Sequence, residues 1–157
     1  IAQCLVGSEM CIRDRFYIGG TKVGAMFGEA VVFTHGNMPK NFVTLVKQHG
    51  ALLAKGWLLG VQFDTLFTDD LYCGIARHAN DAADRIREVL VERGYTLTFD
   101  APTNQIFITL DNATSERLQR NVRLGFMEKA DDTHTVMRIC TSWATTDEQV
   151  EQLIALL

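Results

Sequence analysis

Cysteine is scarce in this chain: four residues of 157, with no C-x-x-C spacing. The four histidines, His35, His49, His78 and His134, show no metal-like spacing either. These absences argue against a disulfide framework and a metal site, and suit reduced core thiols in a cytoplasmic protein. The longest apolar runs are far too short to cross a membrane. No basic cluster occurs, and 15 Lys+Arg against 19 Asp+Glu give a net charge of −4. A mildly acidic chain of this kind argues against nucleic acid and anionic membranes as partners. Repeats, low-complexity tracts and linker-like stretches are missing as well.

What is present suffices for a globular domain with a real core: 47% of the residues are hydrophobic. The first residues look foreign. Leu5-Val6-Gly7-Ser8-Glu9-Met10-Cys11-Ile12-Arg13-Asp14 resembles one reading frame of a transposase adapter used to prepare sequencing libraries. Such scars are set aside in fold reasoning. A signal peptide fits less well, because Glu9, Arg13 and Asp14 interrupt a short apolar run. Residues 1–15 are therefore expected to be an artefact, which leaves Cys73 and Cys140 as the natural thiols. Phe16 already lies inside an expected strand, so the natural chain is expected to begin upstream.

Phe16–Ile18 reads as a buried strand and Glu29–Phe33 as a second. Between them Gly19–Gly28 holds four glycines, the composition of a turn with close backbone approaches. Asn37 and Pro39 open a helix carrying Phe42, Leu45 and Val46 as far as Gly50. Ala51–Phe67 is strongly apolar and reads as one helix, buried on most sides at a domain or subunit interface. Leu71–Arg93 is the clearest amphipathic helix, with Ile75, Ala79, Ala82, Ile86 and Leu90 as its stripe. Asp81 and Arg85 form an i,i+4 pair on its wet face, and Gly94 ends it. Ile106–Leu110 reads as a strand, Asn112 as the cap of a helix running to about Leu124, and Phe126–Glu128 and Thr135–Thr141 as strands. Thr145 and Glu148 fit a capping box opening a last helix. The order from Leu71 onward suggests a small α+β layer domain.

The chemistry centres on Phe16-Tyr17-Ile18-Gly19-Gly20-Thr21-Lys22-Val23-Gly24. A lysine at the end of a strand is rigidly placed and can condense with an aldehyde cofactor. Flanking Gly19 and Gly20 let a ring or phosphate approach the backbone, and Thr21 can donate to that phosphate. The pattern is neither a P-loop nor a G-x-G-x-x-G fingerprint. The plain alternative for Lys22 is a solvated loop lysine.

FYIGGTKVGAMFGEAVVF, Phe16 to Phe33, resembles the lysine segment of the low-specificity threonine aldolases. These belong to the β-eliminating lyases and aldolases with the aspartate-aminotransferase fold, fold type I of the pyridoxal-phosphate enzymes. The resemblance continues through KQHGALLAKGWLLGVQFDTLF and MRICTSWATTDEQV, and so covers nearly all of Phe16–Leu157. It implies that Lys22 holds pyridoxal 5'-phosphate as a Schiff base, with Gly20 and Thr21 beside it. It implies an aldehyde-lyase cleaving L-threonine or allo-threonine to glycine and acetaldehyde. The fold implied is a mixed α/β and α+β fragment. Residues 16–67 end the cofactor-binding large domain, with the last strands of its sheet and interface helices. Residues 68–157 form the small C-terminal domain.

Arg138 is the second candidate. Alternation in Val136-Met137-Arg138-Ile139-Cys140-Thr141 places it on one face with Val136 and Cys140. A guanidinium among apolar neighbours needs an anionic partner, which leaves open a structural ion pair, an edge arginine facing water or a substrate carboxylate. The resemblance implies the last. Lys55 and Gln62 lie where relatives place groups near a neighbouring subunit's cofactor phosphate. Trp57 stands where an arginine is expected, which shifts that contact toward Lys55. Lys55 snorkelling from a buried helix is the plain alternative. Glu29 reads as structural, and Asp69-Asp70 and Asp131-Asp132 as solvated loop charges.

The ring-stacking and ring-nitrogen residues of such enzymes lie upstream of the lysine. The chain as given is therefore expected not to bind the cofactor productively. When full length, a homodimer or homotetramer acting on a small amino acid is implied. Two alternatives stay open: β-elimination or transamination on the same fold, and a non-catalytic α+β binding module. A large exposed apolar face over Ala51–Phe67 would favour the fragment over the module.

Overall fold

A computed structural model describes residues 14–157. The reading of residues 1–15 as foreign, with Cys4 and Cys11, lies outside the described residues except for Asp14 and Arg15. The chain forms two compact units, one ending at Gly74 and one spanning Ile75–Leu157.

In the first unit, β1 (Arg15–Gly19) pairs antiparallel with β2 (Glu29–Phe33), Tyr17 opposite Val31 and Gly19 opposite Glu29. β1, expected to be buried, is half open, with Tyr17 70% exposed, and Val31 opposite it on β2 is exposed as well. Helix α1 (Phe42–Gln48) follows, its Phe42 ring edge-on to Phe33. The single helix expected over Ala51–Phe67 is shorter. Helix α2 covers Trp57–Phe67 only. Residues 51–56 are loop and turn despite the high helix propensity of Ala, Leu and Lys, and Gly50 at φ +72° turns the chain just before them. Nor is α2 buried on most sides. Phe63 and Leu66 are inside, whereas Trp57, Leu58, Val61 and Phe67 are exposed, as are Leu52 and Leu53 before them. Helix α3 (Leu71–Glu92) begins in this unit and continues into the second.

The second unit is a four-stranded antiparallel sheet of order β3-β4-β6-β5 with helices on one face. Its strands are β3 (Thr96–Leu97), β4 (Gln105–Asp111), β5 (Gly125–Lys129) and β6 (His134–Cys140). Ile106, Ile108 and Leu110 alternate inward on β4, as Met137 and Ile139 do on β6. They pack against Ala82, Ala83, Ile86 and Leu90 of α3, Leu118 of α4 (Asn112–Gln119) and Val150 of α5 (Asp147–Leu156). Gly94 closes α3 with φ +79°; its N–H donates to Val91 and that of Tyr95 to Leu90, a Schellman motif. The two-residue β3 carries too little alternation to stand out in the sequence.

Three local expectations shift by a residue or a partner. Asp111, not Asn112, caps α4, accepting from the Thr114 N–H at 2.9 Å. The capping box belongs to Thr146 and Gln149, while the Thr145 hydroxyl accepts from the Ser142 N–H. Arg85 forks to Asp147 and Glu151 of α5 rather than to Asp81, because a neighbouring helix offers two carboxylates to one guanidinium. Cys140, expected in the core, is exposed, and neither Cys73 nor Cys140 forms a disulfide. Among the described residues no helix is long and apolar enough to cross a membrane, and no group of side chains could hold a metal ion.

Asp131, read as a solvated charge, organises the β5–β6 turn. Its carboxylate accepts from the Thr133 N–H and hydroxyl and the His134 N–H. Those bonds hold Asp131 well below the ordinary aspartate value, Thr133 contributing most. The Thr114 N–H lowers Asp111 in the same way. A depressed folded value contributes stability that is present above the unfolded value of 3.8 and is lost as pH falls through the folded value. Thermal unfolding should therefore lose midpoint steadily below about pH 4. A D111N/D131N variant should show a flatter acid limb; an unchanged slope would refute this account.

Candidate functional site

Lys22 sits in a 3-10 turn, Thr21–Val23, directly after β1. Val23 is buried and anchors the turn, while Thr21 and Lys22 are exposed. Lys22 makes no hydrogen bond or ion pair among the described residues. The Gly20 carbonyl closes the turn, accepting from the Val23 and Ala25 N–H groups at 3.0 Å.

Four contacts within the first unit hold this segment. The Tyr72 hydroxyl donates to the Gly19 carbonyl at 3.0 Å. Burial, and secondarily the neighbouring Cys73, push the Tyr72 phenol upward, which keeps it a donor. The Met26 N–H donates to Gln62 Oε1 at 2.7 Å, and Gln62 Nε2 is itself tied to the Leu58 carbonyl. The Phe63 ring lies against Gly20, where an added Cβ would come within 3.0 Å of it. Leu59 lies against Gly28, where an added Cβ would meet Leu59 Cδ2 at 2.2 Å. The glycines thus admit α2 to the lysine turn. The resemblance sets Gln62 near a neighbouring subunit's cofactor phosphate; within this chain its side chain braces the backbone. Tyr72 and Phe63 were missed, since their pattern resembles ordinary helix core and only the packing pairs them with the loop. Lys55 precedes α2 in an exposed turn instead of lying on the helix.

Arg138 lies in the second unit on β6, on the sheet face opposite the helices. Phe107 stands opposite it on β4 and Gly125 opposite it on β5. Its Nη1 donates to Gln105 Oε1 at 3.3 Å. Its Nε is buried with no hydrogen-bond partner. A buried donor left without an acceptor costs about 1–3 kcal/mol, and more where charge is involved. No carboxylate lies within ion-pairing distance of Arg138 among the described residues. A cavity of about 200 Å³ touches Arg138, but much of its wall is apolar and belongs to the helix side of the sheet, Ile86, Ile139, Val150 and Leu153 among it, beside Arg123 and Gln149. The unmatched Arg138 donor fits an anionic ligand, and the exposed Lys22 amine, without a partner among the described residues, fits an aldehyde.

Backbone freedom at the lysine turn is testable. Gly28 has φ +95°, and an alanine there would be strained even after Leu59 swings aside. Gly28→Ala should destabilise the chain by about 1–2 kcal/mol in urea unfolding. Gly19→Ala, where nothing lies within 4 Å of an added Cβ, should differ little from the parent. Equal losses at both positions would contradict the packing described.

No protein-family model matches the chain. The low-specificity L-threonine aldolase of Pseudomonas aeruginosa is 29% identical over 141 residues, 89% of this chain and 40% of that protein. The solved threonine aldolase of Leishmania major matches at 37% identity and a TM-score of 0.89, over 94% of this chain and 43% of its own. Serine palmitoyltransferase of Sphingomonas wittichii matches at 19% identity and a TM-score of 0.61, a likeness of fold alone. The chain spans about two fifths of the length of each relative. In sequence and in backbone it is similar to the threonine aldolases over nearly all its described length, and its fold is a piece of the fold-type I architecture.

Proposed function

We propose that this chain is the C-terminal part of a pyridoxal-phosphate-dependent aldehyde-lyase that cleaves L-threonine or allo-threonine to glycine and acetaldehyde. The observation that carries the proposal is the backbone match to a threonine aldolase at 37% identity. It is joined by an exposed lysine on a braced turn, without a partner among the described residues.

Lys22 is the residue that would hold the cofactor, through its amine. Gly20 and Thr21 flank it, and Lys55 is a weaker candidate for the phosphate of a neighbouring subunit's cofactor. When bound, pyridoxal phosphate supplies an electron sink for bonds at the Cα of an amino acid. Arg138 would take the substrate carboxylate in its planar fork and so orient the amino acid. The exposed Leu52, Leu53, Trp57, Leu58, Val61 and Phe67 support a larger assembly, either a homodimer or a homotetramer of the full-length protein. They favour that over a self-contained binding module.

The test is a full-length protein in which residues 16–157 replace the matching part of the Leishmania enzyme. Acetaldehyde release from L-threonine should be abolished by Lys22→Ala. Arg138→Lys, which loses the bidentate fork, should raise KM about tenfold. Release of pyruvate or ammonia would instead point to elimination, and full activity in Lys22→Ala would sink the proposal.

A further inference from the structure

Four other arginines of the second unit are matched to oxygen atoms. Arg85 reaches two carboxylates, Arg87 a carboxylate and two carbonyls, and Arg93 and Arg117 carbonyls near the end of α5. Among the described residues Arg138 donates only to the neutral amide oxygen of Gln105. Gln105 and Phe107 lie two residues apart on β4, so both share the face that carries Arg138. A glutamate at 105 would offer the same acceptor but would also neutralise the guanidinium. On the other side, a Cβ added at Gly125 would stand 3.6 Å from Arg138 Nε, so a longer side chain would fill the space beside it.

We propose that Gln105 is a positioning residue, which fixes one end of the Arg138 guanidinium through a neutral hydrogen bond and leaves its charge for a ligand carboxylate. The geometry supplies both halves of this role. Nη1 is held, and Nε has no acceptor of its own. An amide restricts the rotation of the fork without competing for its charge. The inference rests on the reading of Arg138 as the carboxylate residue.

The test uses the ¹⁵N-labelled chain titrated with acetate and with L-threonine, following the Nε–H resonance of Arg138, assigned with Arg138→Lys. The parent should show a saturable shift. Gln105→Leu should weaken apparent affinity about threefold, because the fork is no longer held. Gln105→Glu should weaken it about tenfold or more and raise Tm, because the new carboxylate takes the ligand's place. A merely structural role would lower Tm in Gln105→Leu and leave the affinity of the folded chain unchanged. If the parent responds and Gln105→Glu binds acetate as tightly, the positioning role alone is overturned. If the parent resonance responds to neither carboxylate, the reading of Arg138 fails and this inference falls with it.

Discussion

Burial of one face of β4 and β6 against α3 is the constraint on which the second unit depends. Ile106, Ile108, Leu110, Met137 and Ile139 are all 7% exposed or less. Each such side chain is worth about 1.5–3 kcal/mol when taken out of water. Strand side chains alternate, so committing Met137 and Ile139 to the helices commits Arg138 to the other face. A one-residue slip would bury the guanidinium and expose both apolar neighbours. The orientation of the candidate carboxylate residue is therefore enforced by hydrophobic burial around it.

The first unit works differently. Few of its side chains are buried, and its order comes from braces on a glycine-rich turn. Tyr72 and Gln62 take one backbone group on each side of Lys22, and Phe63 and Leu59 fill the room left by Gly20 and Gly28. Among the described residues the lysine itself has no partner. The backbone beneath the amine is held while the side chain keeps its reach.

Charge is distributed with the same economy in the second unit. Arg85 and Arg87 tie elements together through carboxylates or carbonyls, and Arg93, Arg117 and Tyr95 satisfy carbonyls at the end of α5, where helical acceptors lack partners. Against that background, the neutral partner of Arg138 and its unmatched Nε set it apart.

The sequence by itself determined the elements with strong periodicity: α3 with its Ala79–Leu90 stripe, the β4 and β6 alternation, the Gly94 stop, and the Gly-Gly-Thr-Lys segment after a strand. The resemblance supplied the fold. Caps shifted by one residue at Asp111 and Thr146, because neighbouring polar residues compete for the same orphan N–H groups and only local geometry chooses between them. The apolar run before α2 looked helical because composition carries no sign of where its covering surface lies. Only the tertiary structure decided that Arg85 turns to α5, that Gln62 and Tyr72 brace the lysine turn, and that Gln105 meets Arg138. These pairs lie 62, 36, 53 and 33 positions apart or nearly so, and contacts of that range arise from packing, not from local pattern.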